Sequence, residues 1–317
     1  MLTNAKPSTL LAEKLWKILR FFLLLGLSFV LLYPIIYMVS VSVREAADMT
    51  DPSVIWIPRH VTTANFKAAF QGMDYPKSFF YSLLIGGVSS LLQIVSCSLV
   101  AYGFARFRFK GRNLMFAMVI VTIVVPPQVT VLPMHQLFQH FGIHFVGELL
   151  RTHAGVDLSV NLLDNPVMFY LQALTGVGIR SGLYIFLLRQ FFRGLPLELE
   201  EAAEIDGCGP MKTFLQVIIP NAASMLLTVS LFSFVWYWND YFNTNIFLSN
   251  NRTLAIALTG LQESLALANG GVVATNYFDS LTSMQAGCLL FLLPILVLYI
   301  FAQRYFTESI ERSGLVG

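Results

Sequence analysis

Residues 195–220 carry five carboxylates, Glu198, Glu200, Glu201, Glu204 and Asp206, while the long runs on either side are almost free of acid. Leu195, Leu199, Ala202 and Ala203 recur among them at helical spacing, so a helix built here has one apolar face and one acidic face. Pro196 suits the first turn of that helix, and the acids after it favour the positive end of the helix dipole. Gly207 falls where the helix must end and can close the last turn in the left-handed conformation. Gly209-Pro210 then opens a second helix, with Phe214, Val217 and Ile218 as its apolar stripe. The spacing predicts an acidic helix-turn-helix, a polar island between apolar runs.

Catalytic chemistry is harder to find. No G-x-x-x-x-G-K-[ST] phosphate loop exists, so the chain is not expected to bind ATP by itself. His140 and His144 stand four apart, but no H-E-x-x-H and no obvious carboxylate ligand accompany them, so they read as ordinary loop histidines. Cys97, Cys208 and Cys288 lie far apart without C-x-x-C spacing and imply neither a disulfide framework nor a zinc site. No Ser/His/Asp arrangement is visible, and a net charge of +2 is too small to argue for nucleic acid.

The elements that must hold the acidic hairpin are membrane spans. The chain is 56% hydrophobic and 12% charged, against about 25% charged in a soluble domain. Six runs are long enough to cross ~30 Å of hydrocarbon at ~1.5 Å per residue: 21–43, 78–105, 114–134, 167–188, 221–239 and 283–302. The first exceeds the ~7 to 15 apolar residues of a signal-peptide core, so it reads as a retained span. Only Arg180 is charged inside these runs. Thirteen Lys and Arg collect on one side and six on the other, which puts both termini and the hairpin in the cytoplasm. The chain then divides into a tail at 1–20, a six-span domain at 21–303 holding the hairpin at 193–220, and a tail at 304–317. Pro126-Pro127 and Pro133 must bend or break the third span, and Pro34 can kink the first. Residues 44–77 form an external loop with one short helix near Thr63-Ala64-Asn65-Phe66.

Glu201-Ala202-Ala203, three residues, Gly207, nine residues and then Val217-Ile218-Ile219-Pro220 resembles the EAA cytoplasmic loop of binding-protein-dependent ABC importer permeases. Phe186-Leu187-Leu188-Arg189-Gln190-Phe191-Phe192, Trp238-Asn239-Asp240 and Gln303-Arg304-Tyr305-Phe306 resemble the carbohydrate-uptake branch, the MalG-like permeases. The resemblance covers nearly the whole chain except residues 140–165, where an insertion is expected. It implies an all-α membrane protein with six transmembrane helices and the MetI-like permease fold, in a bacterial inner membrane. The partners it implies are a second permease, a cytoplasmic ABC ATPase dimer that binds ATP and Mg, an extracytoplasmic sugar-binding protein, and a sugar or oligosaccharide as substrate. No cofactor, metal or catalytic residue is expected in this chain. In the hairpin the resemblance implies that Glu201, with neighbours such as Glu200 and Asp206, meets basic groups on the ATPase. Ala202 and Ala203 allow close approach, Gly207 makes the turn, and Pro220 begins the rise into the fifth span.

Two features have a pathway reading and a plainer one. A charge at mid-bilayer costs at least ~2.5 kcal/mol, so Arg180 either lines the pathway or sits at the outer interface with its helix starting near Ser181. The cluster containing Trp236, Trp238, Asn239 and Asp240 mixes ring faces with polar groups, as a sugar path would, but an interfacial aromatic belt or structural role is the favoured reading. The alternative to an ATP-driven importer is a secondary transporter driven by an ion gradient. That class calls for paired intramembrane carboxylates, and only Asp240 near a membrane edge is on offer.

Overall fold

The computed structural model describes residues 7–141, 160–250, 252–268 and 277–314. His144 and most of the expected insertion lie outside the described residues. Among those described, every regular element is helical, and backbone pairing is confined to two isolated bridges, Arg44 with Val61 and Phe141 with Val160. The helices are α1 (Pro7–Ser42), α2 (Ala46–Thr50), α3 (Ala64–Gly72), α4 (Tyr75–Arg106), α5 (Arg112–Val124), α6 (Pro127–Gln139), α7 (Val167–Leu174) and α8 (Ser181–Gly194). They continue with α9 (Glu198–Ile205), α10 (Pro210–Thr213), a π-helical turn Phe214–Ile218, α11 (Ile219–Asn221) and α12 (Ala223–Trp238). Last come α13 (Phe242–Phe247), α14 (Leu254–Thr259), α15 (Leu261–Ala268) and α16 (Tyr277–Gly314).

Polarity is turned inside out. On α4 the buried face carries Ser82, Ser89, Ser90, Gln93 and Ser96, while Leu91 and Val95 are 66% and 52% exposed. On α1, Phe21, Phe22, Leu23 and Val30 are all exposed. A water-soluble chain does the reverse. In hydrocarbon an apolar side chain loses nothing by facing lipid, whereas polar groups must find partners inside and small residues let helices approach.

Three helical stretches are long and apolar enough to cross a membrane, Glu13–Ser42, Tyr75–Arg106 and Ser280–Gln303. Two bent pairs raise the number to five: α5 with α6 at 102°, and Pro210–Asn221 with α12 at 81°. The first bend is the expected one, because α5 stops at Val124 and Pro126-Pro127 cannot continue its hydrogen-bond ladder. Pro34 and Pro133, by contrast, are accommodated inside α1 and α6. The expected single span over 167–188 needs correction. It is two helices, α7 and α8, parted by a turn in which Gly176 and Arg180 both take positive φ, 74° and 62°.

The chain separates into two compact units, one of residues 1–72 and 261–292, the other of 73–260 and 293–317. In the first, α15 packs on α3, and the segment after α1 is closed by a polar clasp. Arg44, 4% exposed, donates to Ser40 Oγ at 2.8 Å and to the carbonyls of Val54 and Ile55 at 3.3 and 2.8 Å. Asp48, 3% exposed, accepts from the backbone N–H groups of Arg59 and His60 at 2.7 and 2.8 Å and lies 2.8 Å from His60 Nδ1. The backbone N–H of His60 and then its ring hold the Asp48 carboxyl below its ordinary 3.8, and the Asp48 carboxylate holds the His60 imidazole above its ordinary 6.5. Asp48 therefore contributes stability above its ordinary pKa that is lost as pH falls through the lowered one. His60 contributes below its ordinary pKa and loses that contribution as pH rises through the raised one. The clasp is expected to be tightest between about pH 4 and 6.5. Nuclear magnetic resonance titration of His60 checks this: D48N is expected to return the imidazole towards its ordinary range, and an unchanged titration contradicts the clasp.

In the second unit α4 is the hub, packed by α7, α8, α12 and α14, with α5 against α8. Ser96 Oγ donates to the Ala173 carbonyl at 2.5 Å and Ser82 Oγ accepts from Leu254 N at 2.7 Å, which fixes α7 and the start of α14 to it. Cys97, Tyr102, Leu188, Phe192, Phe214 and Ile218 form an apolar core at one end, and Ile85, Phe138, Met168, Phe169, Tyr237 and Phe247 one at the other.

Candidate functional site

The acidic hairpin folds as its sequence dictates. Leu197 accepts the first turn of α9 from Glu201 N at 3.1 Å, so Pro196 stands just before the helix rather than in its first turn. Glu198, Glu200 and Glu201 occupy that turn, where the dipole favours them. At the other end Cys208 N donates to Ala203 O and Gly207 N to Glu204 O, both at 2.9 Å, with Gly207 at φ 80°. These two bonds are the Schellman closure of a helix, which needs a residue with positive φ. Pro210 then leads α10 behind an extended Gly209.

Pro220 has a larger effect than starting a rise. Lacking an N–H, it cannot bond back to Gln216, and the ladder before it widens into a π-turn in which Ile219 N reaches Phe214 O. The break follows at Ala222, where the chain turns into α12. Phe214 and Ile218 are buried, 3% and 0% exposed, so the apolar stripe is confirmed, with Val217 at its edge.

Ala203 is the buried residue of α9, at 6%, whereas Ala202, Glu201, Glu204, Asp206 and Gly207 are exposed. Exposed apolar side chains frame the acids: Ile205 at 87%, Met211 at 60% and Leu197 at 56%.

Glu200 does something else. Its Oε1 lies 2.5 Å from Arg106 Nε, charge against charge and off the line of the N–H, with the two side chains only 18% and 9% exposed. Arg106 Nη2 also donates to the Leu195 carbonyl at 2.9 Å, and the Tyr102 hydroxyl reaches Glu200 Oε2 at 3.5 Å. Tyr102 in turn rests on Phe214 at 4.8 Å between ring centres. The last turn of α4 thus grips both helices of the hairpin. A second brace lies alongside: Arg189 on α8, 7% exposed, sets its guanidinium 3.8 Å over Phe116 and donates to the Phe104 carbonyl at 3.3 Å. Sequence reading missed Arg106 and Tyr102, and counted Arg106 only as one of many cytoplasmic charges.

The suspected pathway residues separate. Arg180 and Trp236 meet, the guanidinium 4.4 Å above the ring, and both are exposed. Trp238 is 1% exposed and packs edge-on against Phe79 at 5.8 Å, a core role. Asp240 caps α13, accepting from Asn243 N and Nδ2 at 3.2 and 2.9 Å and from Thr244 N at 3.0 Å. Asn239 is exposed and folds its amide back to the Val235 carbonyl at 2.8 Å. Among the described residues no group of three or more His, Cys, Asp or Glu could hold a metal ion.

An inside-out helical unit with helices long and apolar enough to cross a membrane defines the class, a membrane protein that presents an exposed acidic hairpin. Comparison with known proteins narrows it. Residues 93–312 match the model of the binding-protein-dependent transport system inner membrane component family, and the chain belongs to that family. It is 28% identical over 269 residues to the melibiose/raffinose/stachyose import permease protein MelC of Bacillus subtilis, covering 84% of this chain and 86% of that one. With the arabinooligosaccharides transport system permease protein AraQ of the same organism it shares 28% identity, covering 94% of each chain. The fold is that of a chain in a bacterial ABC transporter involved in import of the acidic polysaccharide alginate, with a TM-score of 0.70 at 21% identity over 93% of this chain and 98% of that one.

Proposed function

We propose that this chain is one permease half of an ATP-driven, binding-protein-dependent sugar importer of a bacterial inner membrane. It is a transport subunit rather than an enzyme. ATP and Mg bind to a separate cytoplasmic ATPase dimer, a second permease completes the pore, and an extracytoplasmic binding protein delivers the sugar. The relatives that support this reading carry names of sugar import permeases, and a related structure holds a pentasaccharide-bound periplasmic protein.

Six crossings with both termini inside follow if α7 and α8 together make the fourth. The exposed face of α1 then meets lipid or the second permease. ATP binding closes the ATPase dimer, the hairpin moves with it, and the brace at Arg106 carries that motion into α4 and the helices packed on it. The pore passes from inward-open to outward-open as a population shift between two packed states. Glu201 and Asp206 face the ATPase, while Glu200 works inside the chain.

The observation that carries this reading is an exposed acidic hairpin tied rigidly to the hub helix. Its test is Cys208, which sits at the turn between α9 and α10. A membrane-impermeant thiol reagent is expected to label it in inside-out vesicles and not in intact cells, with C208S as control. Assembly with the ATPase is expected to protect it. Labelling from the outer face would put the hairpin beyond the ATPase and end the proposal.

A further inference from the structure

The turn between α7 and α8 presents a single strained cation. Arg180 takes φ 62° and ψ 17°, a region that non-glycine residues rarely occupy, and such a conformation persists only where its surroundings over-determine it. They do so from both sides. Gln93 Nε2 donates to the Ile179 carbonyl at 2.8 Å and lies 2.7 Å from Ser181 Oγ, and Ser233 Oγ donates to Gln93 Oε1 at 2.5 Å. Ile179 N donates to the Tyr237 hydroxyl at 3.3 Å. Gly178 completes the turn: a Cβ there would come within 2.5 Å of that hydroxyl. Gln93, Ser233 and Tyr237 are 1%, 1% and 3% exposed, so a buried network spanning three helices fixes the residues on both sides of Arg180 and leaves its side chain outside.

That side chain borders a cleft of about 480 Å³ between the bent α5–α6 pair, α7, the start of α8 and α13. Among the described residues that line it, Arg180 is the one with a charge. Gln172 Nε2 is enclosed there without an acceptor among the described residues. The hydroxyls of Thr122 and Thr130 have already given their protons to the carbonyls of Val119 and Pro127. Trp236 covers one face of the guanidinium, whose N–H groups meet no acceptor among the described residues. A carboxylate only accepts, and the planar fork of Arg suits it bidentately, while the Thr122 and Thr130 oxygens, their protons given away, are left to accept from the hydroxyls of the same saccharide.

We propose that this cleft receives the carboxylate of an acidic saccharide, with Arg180 and Gln172 as its donors. The inference rests on the sugar-importer reading and adds the substrate class. The test uses the assembled importer in phosphatidylcholine nanodiscs, with a galacturonate disaccharide and the neutral galactose disaccharide of the same linkage as probes. The wild type is expected to bind the uronate at least about tenfold more tightly than the neutral sugar, a difference R180Q erases and R180K partly keeps. Should R180Q fail to assemble, Q172L serves in its place and is expected to weaken uronate binding alone.

Equal affinities in the wild type, or a preference that survives R180Q, would overturn the proposal. So would a finding, in a parallel set of nanodiscs that contain phosphatidylglycerol, that R180Q loses only binding of that lipid, since the cation would then serve a lipid headgroup. ATPase stimulation by sugar-loaded binding protein reads the importer function separately. Stimulation by neutral sugar with no uronate preference sinks this inference alone, and no stimulation by any saccharide sinks the importer reading.

Discussion

R106A is expected to lower ATP-driven uptake by at least about tenfold while the chain still inserts and basal ATP hydrolysis by the complex continues. Removing Arg106 leaves the Glu200 carboxylate with little water and no counter-charge, and frees the Leu195 carbonyl. Breaking a fully buried pair costs about 3–5 kcal/mol; this one is partly open, so on the order of 2 kcal/mol is the fair figure. That corresponds to roughly a thirtyfold loss of the docked hairpin geometry. The hairpin then moves with the ATPase without pulling α4. E200Q is expected to be milder, because it removes the charge and keeps a group able to reach Arg106 and Tyr102. The charge-reversed pair R106E with E200R is expected to recover part of the uptake, the missing part being the bond to Leu195. Uptake and ATP hydrolysis measured together decide the matter: normal uptake in R106A would deny the brace any role in coupling.

What the sequence showed and what it hid follow from the range of the interactions. The hairpin was legible because every device in it is local: acids in a first turn, a glycine at a closure, a proline leading the next helix. The bend at Pro126-Pro127 was legible for the same reason. The brace was not, because Tyr102 and Glu200 stand 98 residues apart and nothing near Arg106 marks its partner. Nor was the Gln93 network, whose Ser233 bond joins residues 140 apart. A signal for it did exist. Ser82, Ser89, Ser90, Gln93 and Ser96 stand together in an uncharged run, and polar groups in hydrocarbon must pair inside the protein. The break of 167–188 was hidden by hydropathy, which sums side chains and cannot register that Gly176 and Arg180 turn the backbone. Arg180 did carry a hint, since a lone cation in an apolar run demands an explanation. The sequence left two open, and the structure supports the later helix start while also placing the guanidinium on Trp236.

G207D is expected to abolish uptake with membrane insertion intact, and the reason is not collision. No heavy atom lies within 4 Å of a Cβ added at Gly207, so a side chain has room. The costs are conformational and electrostatic. Holding a side-chain-bearing residue at φ 80° costs roughly 1–2 kcal/mol, the lower end applying to Asn and Asp. A new carboxylate at the negative end of α9, next to Asp206, adds about 0.3–1 kcal/mol. Together these are about 1.3–2 kcal/mol against a closure that rests on two hydrogen bonds, from Gly207 and Cys208, enough to unwind the turn that sets α10 against α9. The two causes can be told apart. G207N tolerates the left-handed conformation and carries no charge, so it is expected to keep most of the uptake. G207A has the conformational cost alone and falls between, and G207V, whose branched side chain resists positive φ most, joins G207D at the bottom. Uptake set against the amount of chain in the membrane gives the ranking. If all four variants carried sugar at the wild-type rate, the hairpin could not be where the ATPase's motion enters the chain.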